Sequence, residues 1–249
     1  MILSERFRFV FIKGMKVAGT SVEMALAPVC GPDDVVTPIS GIDELERIAR
    51  GGRCRNYSDD PAAEAAYLQR LSAARREDLG RIPRPKEKYF NHMSLAEVMR
   101  QYQKPLGDFR IVCVERSPYS KVLSWLNMKL SYQHYATGSG SLSADPRQMR
   151  HFMDEVIDTG AVLAVKNIDR YRDADGRIAA QAMRYENLAP DFDAFLETVG
   201  APRPLALPHA KKGLMADAVN PRDFLRPDQI ARLNAMFADE FAAFCYPTL

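Results

Sequence analysis

Three groups of residues have types and spacings that could do chemistry. Gly14 and Gly19 bracket Lys16, and Thr20-Ser21 follow at once. Glycines around a lysine, then hydroxyls and a helix-forming run, are the makings of an anion-binding loop. Backbone N–H groups converge there, and the first helical turn favours negative charge. A Walker A loop would continue Gly-Lys-Ser/Thr. Here the lysine sits inside the turn, which suits an anion handled by side chain and amides, with no metal. The plainer reading of Gly14 to Ser21 is a βα turn whose glycines serve geometry.

The second group is Arg116 with Ser124. Arg116 comes just after an apolar run, Phe109 to Val114, and its planar fork suits phosphate. In an open parallel sheet, ligands bind beyond the carboxyl ends of the strands. Ser117 and Ser124 are about two helical turns apart and share a face. A surface salt bridge for Arg116 and an ordinary helix serine for Ser124 are the plain alternatives. The third group is the four histidines: His92, His134, His151 and His209. An imidazole has an unperturbed pKa near 6.5, which suits a general base at neutral pH. His92 follows a short aromatic segment and precedes a helix start, so it is the candidate base. The alternative is a structural loop histidine. His209 and His134 are weaker candidates, and His151 reads as surface.

These residues need elements to place them. Phe7 to Ile12 reads as a strand, and Val22 to Leu26 as a helix stopped by Pro28. Residues 31 to 65, rich in Gly, Pro and Asp, give no clear pattern. Tyr67 to Arg76 reads as helix. Residues 66 to 88 carry seven basic and three acidic side chains, read as a solvated face or as a surface for an anionic acceptor. Lys88 to His92 is a possible short strand. Ser94 to Glu97 is a capping box opening a helix to about Tyr102. Phe109 to Val114 reads as a buried parallel strand. Ser117-Pro118 opens a helix to about Leu130. Thr137 to Ser141 reads as a loop, and Arg150 to Asp158 as helix. Ala161 to Lys166 and Ala179 to Tyr185 are candidate strands. A helix opens at Asp191 and closes at Gly200. From Pro227, Ile230, Leu233, Phe237, Phe241 and Phe244 form one apolar face. The alternation predicts an α/β fold, a P-loop-type parallel sheet with helices on both faces, in one domain spanning 1–249.

Composition narrows the function classes. The chain has 249 residues, 47% hydrophobic and 27% charged, which is globular rather than disordered. A net charge of +2 argues against bulk nucleic-acid binding. No apolar run is long enough for a membrane helix, and the N-terminus has no signal-peptide pattern. Cys30, Cys54, Cys113 and Cys245 form no CxxC pair, so neither a zinc site nor a disulfide framework is expected. A reduced, cytoplasmic setting fits these features.

Lys16-Val17-Ala18-Gly19-Thr20-Ser21 resembles the 5′-phosphosulfate loop of sulfotransferases that use 3′-phosphoadenosine 5′-phosphosulfate (PAPS). The segment from Arg116 to Ser124, with Pro118, resembles that family's 3′-phosphate motif. Arg184-Tyr185-Glu186-Asn187-Leu188 with Asp191-Phe192 resembles a third family segment. The tail at Phe244-Cys245-Tyr246 is similar to the carbohydrate branch of that family, and the lack of a membrane anchor argues for its soluble bacterial type. Gly14-Met15 stands where the family often has proline before the lysine, and Ala18 where it has glycine. The resemblance implies a sulfotransferase-like fold, PAPS as donor, PAP as product and a glycan or glycolipid hydroxyl as acceptor. It implies Lys16 at the bridging oxygen, and Val17 to Ser21 around the 5′-phosphate. Arg116 and Ser124 would bind the 3′-phosphate, Tyr185 would lie at the adenine, and Lys211 or Lys212 would add a second cation. A histidine at the place of His92 is the implied base. Two other readings use the same residues. One is a Mg²⁺-dependent phosphotransferase with Glu115 as its acid. The other is a non-catalytic module that binds the nucleotide or a sulfated glycan.

Overall fold

The computed structural model describes residues 1–137, 146–208 and 220–249. The chain forms two compact units. The first comprises Met1–Gly14, Ala18–Val114 and Asp169–Ala210, and the second Met15–Val17, Glu115–Ile168 and Lys211–Leu249.

The first unit contains the sheet. β1 (Ile2–Ser4), β2 (Phe9–Ile12), β3 (Val35–Val36), β4 (Arg110–Glu115) and β5 (Gln181–Arg184) are ordered β3-β1-β2-β4-β5. β2 and β4 are parallel, with Ile12 opposite Cys113. β1 is antiparallel to β2 and to β3. The α/β expectation therefore holds, but the sheet is mixed rather than all parallel. The physical reason is connection length. Only Glu5 to Arg8 separate β1 from β2, which permits a hairpin and excludes a crossover. All four residues of β2 are inaccessible, so both faces of this strand are covered, as a continuous apolar run requires.

Helices of this unit follow their end signals. α1 (Gly19–Leu26) runs into a 3₁₀ turn that holds Pro28. α2 (Gly41–Ala49) and α3 (Pro61–Ala73) take Ser40 and Asp60 as N-caps. α4 (Leu95–Gln101) carries the expected capping box of Ser94 and Glu97. Lys88 to His92 is not a strand: His92 has φ 63, which an extended strand cannot contain. α7 (Leu188–Thr198) packs on β5 and sets Phe195 edge-on against Phe9, with centroids 5.3 Å apart.

The second unit is helical. It contains α5 (Pro118–Thr137), α6 (Pro146–Asp158), α8 (Pro221–Phe224), α9 (Pro227–Met236) and α10 (Ala238–Ala243). The expected strand at Ala161 to Lys166 is instead a 3₁₀ helix over Ala161–Val165. That run is apolar, but Gly160 at φ 70 opens a tight turn that a strand does not need. Val162 and Val165, three apart, are its buried residues, a helical spacing. The core joins Trp125, Leu126, Met153, Phe224, Leu233, Phe237 and Phe241. Ile230 packs against it, while the apolar face bends at Phe237, between α9 and α10.

Candidate functional site

In the first unit, β2 runs out at Ile12 and α1 begins at Gly19. Ala18 stands at the helix start with φ 61 and ψ 20, the left-handed region, and no side chain caps the helix. The first turn holds no acid. Ser21 and Val22 N–H turn back to the Ala18 carbonyl at 2.9 and 3.3 Å, while the first amides of the helix have no intrahelical acceptor. This end presents partial positive charge, and neither a first-turn acid nor a side-chain cap offsets it. Gly19, Thr20 and Ser21 form that turn, so the helix opens three residues before the Val22 start that the sequence suggests.

The loop's two lysines differ. Lys13 is buried, and its Nζ lies 2.6 Å from Glu23 Oε2. Glu23 also pairs with the Met1 ammonium. Burial pushes Glu23 up, but Lys13 and that ammonium bring it down to about 2. A Cβ on Gly19 would lie 2.6 Å from Lys13 Cγ. Gly19 is thus required so that the Lys13 stem can pass, a packing role the motif alone did not reveal. Glu23, an acid inside the run Val22-Glu23-Met24-Ala25-Leu26, was the available signal for this pair.

His92 belongs to the same unit, half-buried. Its Nδ1 is 3.1 Å from the Lys13 carbonyl oxygen. Its own carbonyl accepts from Arg170 Nη1 at 2.6 Å. Burial above all, then the Lys13 ammonium, lowers its pKa to about 4, while the hydrogen bond to the Lys13 carbonyl works the other way. His92 is therefore neutral at pH 7. With Nδ1–H donated to a carbonyl, the lone pair is on Nε2.

The second unit holds Lys16, Val17, Arg116 and Ser124. Lys16 has φ 61, and its Nζ lies 3.6 Å from Met128 Sδ. Val17 is fully buried. Met15 is gripped by Asn167: its N–H donates to Asn167 Oδ1 at 2.7 Å, and its carbonyl accepts from Nδ2 at 3.1 Å. Arg116 is buried, and its N–H donates to Glu115 Oε1 at 2.9 Å. Glu115 and Glu240 share Lys121, at 2.5 and 2.6 Å. Burial pushes the Glu115 carboxyl above its ordinary range, against the pull of Lys121. Ser124 lies half-buried in α5. Asn167, Lys121 and Glu240 were not found from the sequence. Asn167 and Glu240 are single polar residues in segments with no motif, and Lys121, though inside the Arg116–Ser124 segment, is not one of the positions that carry its chemistry.

Tyr185 lies half-buried in the first unit, in the 3₁₀ turn after β5. That turn is closed by Asp191, which accepts from Arg184 N–H and Asn187 Nδ2, each at 2.7 Å. Lys211, Lys212 and His209 lie outside the described residues, as does most of the loop at 137 to 141. His134 is in α5 and His151 is exposed on α6. Among the described residues, no three His, Cys, Asp or Glu side chains gather where they could hold a metal. No helix among them is long and apolar enough to cross a membrane.

No family model matches the chain, and no curated protein matches it. Among solved structures it is similar to a sulfotransferase from Alicyclobacillus acidocaldarius. The identity is 17% over 96% of each chain, with a TM-score of 0.39, a likeness too slight to say what the chain does.

Proposed function

We propose that the chain transfers a sulfuryl group from PAPS to a hydroxyl of a carbohydrate or glycolipid acceptor. One observation carries this reading: an uncapped, acid-free helix start at Ala18–Ser21 shares its unit with a neutral histidine tied to Lys13, where the loop begins. The first can take an anion, and the second can take a proton.

PAPS supplies a sulfur bonded to a phosphate oxygen, a bond that an incoming hydroxyl can displace in line. The acceptor oxygen bonds to sulfur, its proton goes to His92 Nε2, and the bridging S–O bond breaks with its electron pair leaving on PAP. The hydroxyls of Thr20 and Ser21 and the amides of Gly19 and Thr20 hold the 5′-phosphate, with Val17 and Ala18 shaping the turn. Lys16 neutralises charge on the leaving oxygen. Arg116 and Ser124 bind the 3′-phosphate, Tyr185 the adenine, and Lys211 or Lys212 adds a second cation. Positioning and electrostatics carry most of such a displacement.

The residues fit the donor. Lys16 and Arg116 supply cations, the α1 start supplies amides, and none of these groups needs a metal. The phosphotransferase reading fits less well. Glu115, its required acid, is buried and held by Lys121 and the Arg116 N–H.

Calorimetric titration with PAP, with and without Mg²⁺ and with ATP as control, tests the reading. Micromolar PAP binding that needs no metal and that ATP cannot match is the expected result. Tighter, Mg²⁺-dependent ATP binding would replace it with the phosphotransferase. A non-catalytic module would bind PAP yet lose nothing in His92→Ala.

A further inference from the structure

We propose that Asn167 is a positioning residue that sets Lys16 through the Met15 backbone, and that Lys121 holds it in place through Glu240. The inference rests on the role of Lys16 proposed above.

The side chain of Asn167 is fully buried. It bonds both the N–H and the carbonyl of Met15. Only one orientation of the carboxamide satisfies both bonds, so the geometry itself assigns oxygen and nitrogen. Lys16 follows directly, at φ 61. A non-glycine residue in that region persists only when its surroundings hold it there. Asn167 supplies the hold one residue away.

Asn167 is itself anchored. Its backbone N–H and that of Ile168 both donate to Glu240 Oε1, the second at 3.0 Å. Glu240 Oε2 accepts from Lys121, which also reaches Glu115, and Glu115 accepts the Arg116 N–H. One buried lysine thus joins the segments that carry two candidate anion anchors of this unit, Lys16 and Arg116. Two carboxylates against a single lysine, all fully or almost fully buried, is a costly arrangement for stability alone. Apolar residues of equal volume often serve as well. What the ions add is a defined geometry.

The test uses the whole protein with Asn167→Ala, Asn167→Asp and Glu240→Gln. Gln229→Ala is the control, a fully buried amide of the same unit that bonds Asp154 instead. Hydrogen exchange over residues 13–18 and calorimetry with PAPS and with PAP are the readouts. In Asn167→Ala, Met15 amide exchange should rise about tenfold or more. PAPS affinity should fall about tenfold while PAP affinity changes by less than about threefold. Asn167→Asp should do the same, because a carboxylate lacks the donor for the Met15 carbonyl. Gln229→Ala should lower Tm without either effect. Unchanged Met15 exchange in a folded Asn167 variant overturns the proposal, as does an equal loss of PAPS and PAP. If the Asn167 variants do not fold, Glu240→Gln decides: no rise in Met15 exchange there overturns it. A wild type that binds neither nucleotide, with Met15 still loosened in Asn167→Ala, removes the proposed function and leaves the clamp standing.

Discussion

The ring Nδ1 of His92 lies 3.1 Å from the carbonyl oxygen of Lys13, the residue that follows β2. This bond fixes the ring and leaves Nε2 to accept a proton. His92→Ala should cut transfer by about a hundredfold or more, the usual worth of a general base. PAP affinity should stay within about threefold. PAP release from PAPS with a panel of glycan acceptors measures the first, and calorimetry the second. An unaltered rate would make His92 a structural residue.

The pH behaviour follows from the same environment. The folded pKa is lowered to about 4, below the unfolded value near 6.5. Between these values the unfolded chain binds a proton that the folded chain does not. His92 therefore has no pH-dependent effect above about pH 6.5, and costs stability as pH falls from there to about 4. In His92→Gln the decline of Tm between pH 6.5 and 4 should be shallower than in the wild type. On activity, kcat/KM should carry no inflection from His92 above about pH 5 and should fall below about pH 4. An inflection near 6.5 that disappears in His92→Gln would contradict the buried, neutral ring.

Gly19 and Glu23 both serve Lys13. Gly19→Ala places a Cβ 2.6 Å from Lys13 Cγ, and that stem is held at its tip by Glu23. It cannot swing away without breaking a buried ion pair. Gly19→Ala should cost about 1–3 kcal/mol, the range for overpacking. Glu23→Gln should cost about 3–5 kcal/mol, because it leaves a buried ammonium without its carboxylate. Urea denaturation measures both. Equal stability of Glu23→Gln and wild type would mean that Lys13 escapes to water.

How far the site could be read in advance depended on how local its signals were. The strands at Phe9–Ile12 and Arg110–Glu115, the Ser94 capping box and the Pro118 helix start were legible, because each depends on neighbours in sequence. The strand Ile2–Ser4 was missed: three apolar residues have no periodicity to show. Ala161–Val165 was misassigned because an apolar run looks alike in a strand and in a buried 3₁₀ turn. The grip of Asn167 on Met15 spans 152 positions, and no local pattern encodes such a contact.

Ala18 occupies a left-handed position, φ 61 and ψ 20, where the resembling family has glycine. A Cβ there costs about 1–2 kcal/mol of backbone strain. Glycine would remove that strain but widen the unfolded ensemble, at about 0.4–1 kcal/mol. Ala18→Gly should therefore be neutral or stabilising by up to about 1.6 kcal/mol, a result that most glycine substitutions at a helix start would not give. A Tm several degrees lower would mean that the Ala18 methyl packs against something essential.

Lys16 and Arg116 separate by which part of the donor each touches. PAP and adenosine 5′-phosphate differ only in the 3′-phosphate, so their affinity ratio isolates the group that Arg116 is proposed to hold. Arg116 is buried, and its backbone N–H is bound to Glu115. Arg116→Ala should weaken PAP by more than about tenfold, about 1.4 kcal/mol, and leave adenosine 5′-phosphate unchanged. Lys16→Ala should do the reverse. It should keep the ratio and abolish transfer, because its charge acts on the sulfuryl end of PAPS, which neither nucleotide carries, and most strongly as the S–O bond breaks. Calorimetry with the two nucleotides and PAP release from PAPS complete the comparison. A ratio that survives Arg116→Ala would remove the 3′-phosphate assignment, and near-normal turnover in Lys16→Ala would remove the other.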